Sequence, residues 1–143
     1  MLIYKQKVNN MRLLGIDYGT VTTGFAIGEN SAILPLGFLR TKDQHTLKEH
    51  IKKIIEAERI DKIILGVPKH NNPVQQQKIE NFTEVLKKEV NISVELIDES
   101  NTSKESFREE FTKHSNIKKI RKIIHAKSAE KILERYFLEN KKS

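Results

Sequence analysis

Residues 13–24 read LLGIDYGTVTTG: Leu13, Leu14, Gly15 and Ile16 lead to Asp17, and after a break at Gly19 the chain resumes through Thr22, Thr23 and Gly24 into Phe25, Ala26 and Ile27. An apolar run, a glycine break and a second apolar run predict a strand, a tight turn and a second strand, with Asp17 at the end of the first. Side chains alternate along a strand, so Leu14 and Ile16 share one face while Leu13, Gly15 and Asp17 share the other. A carboxylate placed there is costly to desolvate unless it is paired or binds a metal ion. By position alone, an aspartate before a glycine turn reads more readily as a turn or cap residue than as a ligand. The rest of the chain decides between these readings.

Downstream, residues 32–41 (AILPLGFLRT) predict a third strand, and Pro35 and Gly37 suit an edge or a bulge. Short turns between three strands imply an antiparallel meander. The period then changes: Leu47, Ile51, Ile54 and Ile55 form one face of an amphipathic helix. Residues 61–67 (DKIILGV) read as a strand covered on both faces, and residues 68–73 (PKHNNP) as a loop. A second helix is expected over 74–89, with Ile79, Phe82, Val85 and Leu86 buried, and a fifth strand over 92–97, followed by Asp98 and Glu99. Helix between strands twice over argues for parallel pairing through right-handed crossovers. A short helix over 103–111, a basic loop over 112–122 and a last helix over 123–138 complete the order, the last packing through Ala129, Ile132, Leu133, Tyr136 and Phe137. His125 lies four residues before Ala129 and so on the same helical face. The fold class is therefore α/β, a mixed five-stranded sheet flanked by helices. Residues 1–10 are expected to be an N-terminal arm ahead of a single domain over 11–143.

Composition limits the chemistry. The chain has 143 residues, no cysteine and a net charge of +7. Thiolate zinc sites, disulfides and cysteine nucleophiles are excluded, so any metal must be held by oxygen or imidazole. No apolar run approaches the roughly 20 residues of a membrane span, which gives the expectation of a cytoplasmic protein without a membrane partner. Residues 104–143 carry twelve Lys and Arg against six Asp and Glu, and a basic patch confined to one part of a chain points to nucleic acid. Lys118, Lys119, Arg121 and Lys122 are its densest cluster, with Lys69 and Asn71 as further candidate contacts in the loop after the fourth strand.

On this layout Asp17 and the Asp98–Glu99 pair lie at carboxyl ends of strands, where open α/β sheets place their sites, and the start of the last helix can pack beside them. Converging carboxylates there suit Mg²⁺ or Mn²⁺ and, with them, phosphodiester cleavage. The chain resembles the YqgF/RuvX family, known as Holliday junction resolvases and as nucleases maturing the 5′ end of 16S ribosomal RNA. The resemblance runs from residue 11 to about 138. It is carried by Leu14-Gly15-Ile16-Asp17-Tyr18-Gly19-Thr20 with Gly24-Phe25-Ala26-Ile27, by Ile64-Leu65-Gly66-Val67-Pro68, by Asp98-Glu99 with Thr102, and by Ile124-His125 through Ala129, Ile132, Leu133 and Tyr136.

The resemblance implies a ribonuclease H-like fold and catalytic residues at Asp17, Glu99 and position 125, with Asp98 as a further metal candidate. It also implies 16S precursor RNA as substrate in preference to a DNA junction; a monomer or weak homodimer is expected. This chain departs from the family at its site: His125 stands where the family has aspartate, Val21 and Thr22 where it has a basic pair, and Ser100 where it has arginine. Two readings follow, a nuclease in which imidazole replaces one carboxylate, or an RNA-binding module of ribosome assembly that does not cut.

Overall fold

The computed structural model describes residues 11–68, 73–99 and 117–140, with the backbone alone described for 68, 99 and 117–126. In chain order the elements are β1 (Leu13–Asp17), β2 (Thr22–Glu29), β3 (Ala32–Arg40), α1 (Gln44–Glu58), β4 (Lys62–Pro68), α2 (Pro73–Glu89), β5 (Ser93–Glu99) and α3 (Ile117–Glu139). The strands form one five-stranded sheet in the order β3-β2-β1-β4-β5. β1 pairs antiparallel with β2, and β2 with β3, whereas β4 runs parallel to β1, and β5 to β4. Meander and parallel half meet at β1, as the change of hydrophobic period along the sequence requires.

β3 is an edge strand, as its Pro35 and Gly37 foretold. Phe25 pairs with Gly37 and Ala26 with Pro35, so Leu36 bulges between them, and Gly37 has a φ of 90°. A proline is tolerated there because an edge strand has no partner for the missing N–H.

Alternation along β1 divides the core. Leu14 and Ile16 join Phe25, Ile63, Leu65, Phe82 and Leu86 beneath α1 and α2. Leu13 joins Ala26, Ile64, Ile97, Ala129, Ile132 and Leu133 beneath α3. Tyr18 belongs to the first cluster and stacks on Phe82, with ring centroids 4.3 Å apart and planes at 12°. Stacking of this kind is worth about 0.5–1.5 kcal/mol beyond the burial itself.

α3 lies unusually close to β1 because Gly15 has no side chain. A Cβ at Gly15 would stand 2.7 Å from Leu133 Cγ and 2.9 Å from the Ala129 carbonyl oxygen. The second contact is backbone, so relief requires the helix to move. Gly15→Ala is expected to destabilise the protein by about 1–3 kcal/mol, the usual range for overpacking, read as a lower urea midpoint with an unchanged slope.

α1 is opened by Asp43, whose carboxylate accepts from Thr46 N at 3.2 Å and from Thr46 Oγ1 at 2.5 Å. The Thr46 hydroxyl first, and the Thr46 N–H second, hold the Asp43 carboxyl below its ordinary value of 3.8. A depressed carboxyl pKa stabilises the fold above the unfolded value, and the contribution is lost as pH falls through the folded one. Asp43→Ala should thus be less stable than wild type at neutral pH, and the gap should close as pH falls below about 3.8, in thermal melts taken between pH 7 and pH 2.

The last helix corrects the sequence reading. Residues 112–122 were expected as a basic loop and 123–138 as the helix, yet α3 begins at Ile117, so Lys118, Lys119, Arg121 and Lys122 are helical. Lys and Arg are good helix formers, and Ile117, Ile120 and Ile124 keep a helical period that the charges between them obscure. The short helix expected over 103–111 lies outside the described residues. Among the described residues no helix is long and apolar enough to cross a membrane.

Candidate active site at the carboxyl edge of the sheet

β1 ends at Asp17 and β5 at Glu99, both at the carboxyl edge of the parallel half. The two strands flank β4, so their backbones are about 10 Å apart, twice the interstrand spacing. The register runs Ile16 to Leu65 to Leu96, which sets Asp17 level with Gly66 and Ile97, the latter two being a pair. On β4, Lys62, Ile64 and Gly66 are in phase, and Ile64 belongs to the cluster under α3. Gly66 therefore contributes no side chain between the ends of β1 and β5 on that face. In the sequence Gly66 stands out because an otherwise branched run becomes glycine two residues before its end.

The pleat sorts the candidate acids. Asp17 is in phase with Leu13 and Gly15, hence on the α3 face, and is half-buried. Position 99 is in phase with Ile97, which also belongs to the α3 cluster, whereas Asp98 is one residue out of phase and exposed. The fold thus brings positions 17 and 99 to one face and directs Asp98 to the other.

α3 supplies the third position. A Cβ on Gly28, the partner of Leu13, would meet the Phe137 ring at 2.9 Å, and one on Gly15 would meet Leu133 and Ala129. Two residues along β1, about 6.7 Å, therefore correspond to about one turn of α3, about 6 Å for four residues. The helix runs against the strand. One further step brings position 125, four residues before Ala129, level with Asp17. Positions 122 and 118 continue the same phase beyond the end of β1. Among the described residues no group of three or more His, Asp or Glu is clustered to hold an ion; the side chains of Glu99 and His125 are outside them. Lys69, Asn71 and Ser100 also lie outside the described residues, while Val21 and Thr22 sit half-buried at the start of β2.

The opposite end of α3 is anchored by polar contacts. Lys62 Nζ donates to Glu95 at 2.6 Å and to Tyr136 Oη at 3.1 Å, which links β4, β5 and α3. Burial works to lower the Lys62 pKa, but the bonds to Glu95 and Tyr136 outweigh it and the net displacement is upward.

A mixed sheet in the order β3-β2-β1-β4-β5, with an acidic residue ending its central strand and a long helix laid over that strand, defines the ribonuclease H-like class. Within it the chain belongs to the RuvX family, described as Holliday junction resolvase, whose family model it matches over residues 11–139. A Clostridium acetobutylicum protein named "Putative pre-16S rRNA nuclease" is 31% identical over 136 residues, covering 88% of this chain and 97% of that one. A Mycoplasma mobile protein of the same name is 40% identical over 100 residues, covering 65% of this chain and 69% of that one. Among solved structures, the fowlpox virus Holliday junction resolvase superposes with a TM-score of 0.54 at 14% identity, covering 90% of this chain and 99% of that one. T. thermophilus RuvC in complex with a Holliday junction substrate gives 0.52 at 10% identity, over 88% and 96% of the two chains. Likenesses this remote in sequence speak for the fold alone.

Proposed function

We propose that the chain is a divalent-metal-dependent nuclease of structured nucleic acid, with precursor 16S ribosomal RNA in the cytoplasm as its substrate. The observation that carries the proposal is the backbone register that brings positions 17, 99 and 125 to one face at the carboxyl edge, around a glycine. The names of the relatives over nearly their whole length support the RNA substrate.

Two carboxylates and an imidazole, with no thiolate, suit Mn²⁺ and, through the carboxylates, Mg²⁺. Asp17, Glu99 and His125 would hold the ion, which when bound supplies activation of a water and stabilisation of the leaving oxygen. Asp98, out of phase with them, falls outside this set. The chain itself sets the polarity of the site: Asp17 contributes negative charge at the strand end, and Leu133 over Gly15 fixes how closely α3 approaches. Neutral imidazole at 125 favours the softer Mn²⁺, because it offers one nitrogen lone pair in place of an anionic oxygen.

Lys118 and Lys122 continue the phase of position 125 past the sheet edge, and with Lys119 and Arg121 form the phosphate-binding stripe beside the cut. Lys69 and Asn71, in the loop that follows β4, are placed by sequence to touch the same strand. Each phosphate contact on a single strand contributes about 0.7 to the slope of log K against log salt. Lys118→Gln with Lys122→Gln should lower that slope by about 1.4 without changing sequence preference; an unchanged slope in RNA-binding titrations over potassium chloride would remove these residues from the interface.

The second reading, an RNA-binding module that does not cut, is favoured by His125 itself. The deciding assay incubates precursor 16S RNA with Mg²⁺ or Mn²⁺. Specific cleavage supports the nuclease; binding without cleavage in either metal, restored by His125→Asp, would establish the silent module.

A further inference from the structure

A cleft of about 140 Å³ opens beside the same edge, on the α1 side of β1, lined by Tyr18, Gly19, Thr20, Lys42, Gln44 and Leu47 among others. Its floor is held in place. The Tyr18 ring is pinned on Phe82, and its hydroxyl accepts from Gln44 Nε2 at 3.3 Å. The turn that forms one wall is tight at Gly19, where a Cβ would stand against the Thr22 carbonyl oxygen. The other wall is the start of α1, capped by Asp43, with Thr41 Oγ1 accepting from Asp43 N at 3.1 Å.

The polar groups around this rigid floor are largely uncommitted. Gln44 uses one amide N–H on Tyr18, and neither its carbonyl oxygen nor its second N–H has a partner among the described residues. The Thr20 hydroxyl and the Lys42 ammonium likewise make no hydrogen bond or ion pair there. An exposed amide donor and acceptor side by side, at the mouth of a cleft floored by the buried Tyr18 and Leu47, match the edge of a flat heterocycle. The space of about 140 Å³ suits one ring system. The Asp43 carboxylate in the lining disfavours a phosphate.

We infer that this cleft is a base subsite: it takes one unstacked nucleobase of the strand that crosses the Asp17 edge, read by Gln44. The inference deepens the nuclease reading and rests on it for the identity of the strand. Sequence-specific recognition of RNA commonly targets bases splayed out of the helix. An amide donor–acceptor pair bonds bidentately to the N6–N7 edge of adenine, the pairing that Asn and Gln make in duplex recognition.

The test uses the ¹⁵N-labelled full chain without divalent metal, titrated with adenosine, guanosine, cytidine, uridine and, separately, inorganic phosphate. Nucleosides, adenosine most, should shift the amides of Gly19, Thr20, Lys42 and Gln44, whereas phosphate leaves them in place. Gln44→Glu replaces a donor by an acceptor and puts a favourable acid in the first turn of α1, so the fold is kept. It should weaken adenosine binding by roughly tenfold and turn the preference toward cytidine, whose exocyclic amine a carboxylate accepts. No shift with any nucleoside, shifts with phosphate alone, or a preference unaltered in Gln44→Glu would overturn the subsite. Cleavage that persists under those results would leave the nuclease reading intact. Nucleoside binding here without cleavage in any metal would sink that reading and keep the subsite.

Discussion

Asp17→Asn is expected to reduce metal-dependent cleavage at least about 100-fold, since even outer partners of metal ligands cost about 10–100-fold when removed. The substitution keeps the shape of the side chain and takes away its charge. Asp17 sits half-buried at the last residue of β1, in phase with Leu13 and Gly15 and level with Gly66. The other end of β1 is tied to β4, where Arg12 N donates to Asp61 Oδ2 at 2.9 Å and Asp61 N to the Arg12 carbonyl at 2.8 Å. Because the side chain keeps its shape, circular dichroism of the variant should match wild type. Cleavage that survives at wild-type rate would detach the chemistry from this carboxylate.

Leu133→Ala should be the most damaging substitution on the α3 side, costing about 2–5 kcal/mol as large-to-small changes in a core do. Leu133 is fully buried and touches the sites where both Gly15 and Gly28 lack a side chain. Two strands have given up side chains to admit it, so the space it leaves has no neighbouring group able to fill it. The functional consequence follows from the same contact: α3 is seated on β1 through Leu133 and Ala129, and position 125 is one turn further on. The variant should lose cleavage more steeply with temperature than wild type, in parallel with its lowered melting point. A loss below about 1 kcal/mol would mean that the helix is held chiefly by its Lys62–Tyr136–Glu95 anchor instead.

The strands were legible because each is bounded by a period change or a glycine, and the two-residue alternation in Leu13 to Asp17 already separated the two core faces. Pro35 and Gly37 announced the edge and its bulge. The start of α3 was not legible, because charge in the run from Lys118 to Lys122 resembles a solvated loop when only apolar spacing is counted. At the site, Asp17 and the end of β5 were readable as strand-end acids. The resemblance already favoured Glu99 over Asp98, and the phase of Ile97 supplies the physical reason. Gly66 could not be interpreted before pairing placed it between them. The helix–strand contact at Gly15, which carries position 125 to the level of Asp17, is a relation between residues more than a hundred apart and has no local trace.

The proposed site holds one divalent ion jointly between the ends of β1 and β5 and the helix above them. A crystal structure of the protein soaked in Mn²⁺, read by the anomalous signal of the metal, tests it most directly. A single ion with ligands from Asp17, Glu99 and His125 and none from Asp98 is expected. An ion bound away from Asp17, or no ordered ion at the carboxyl edge, would contradict it.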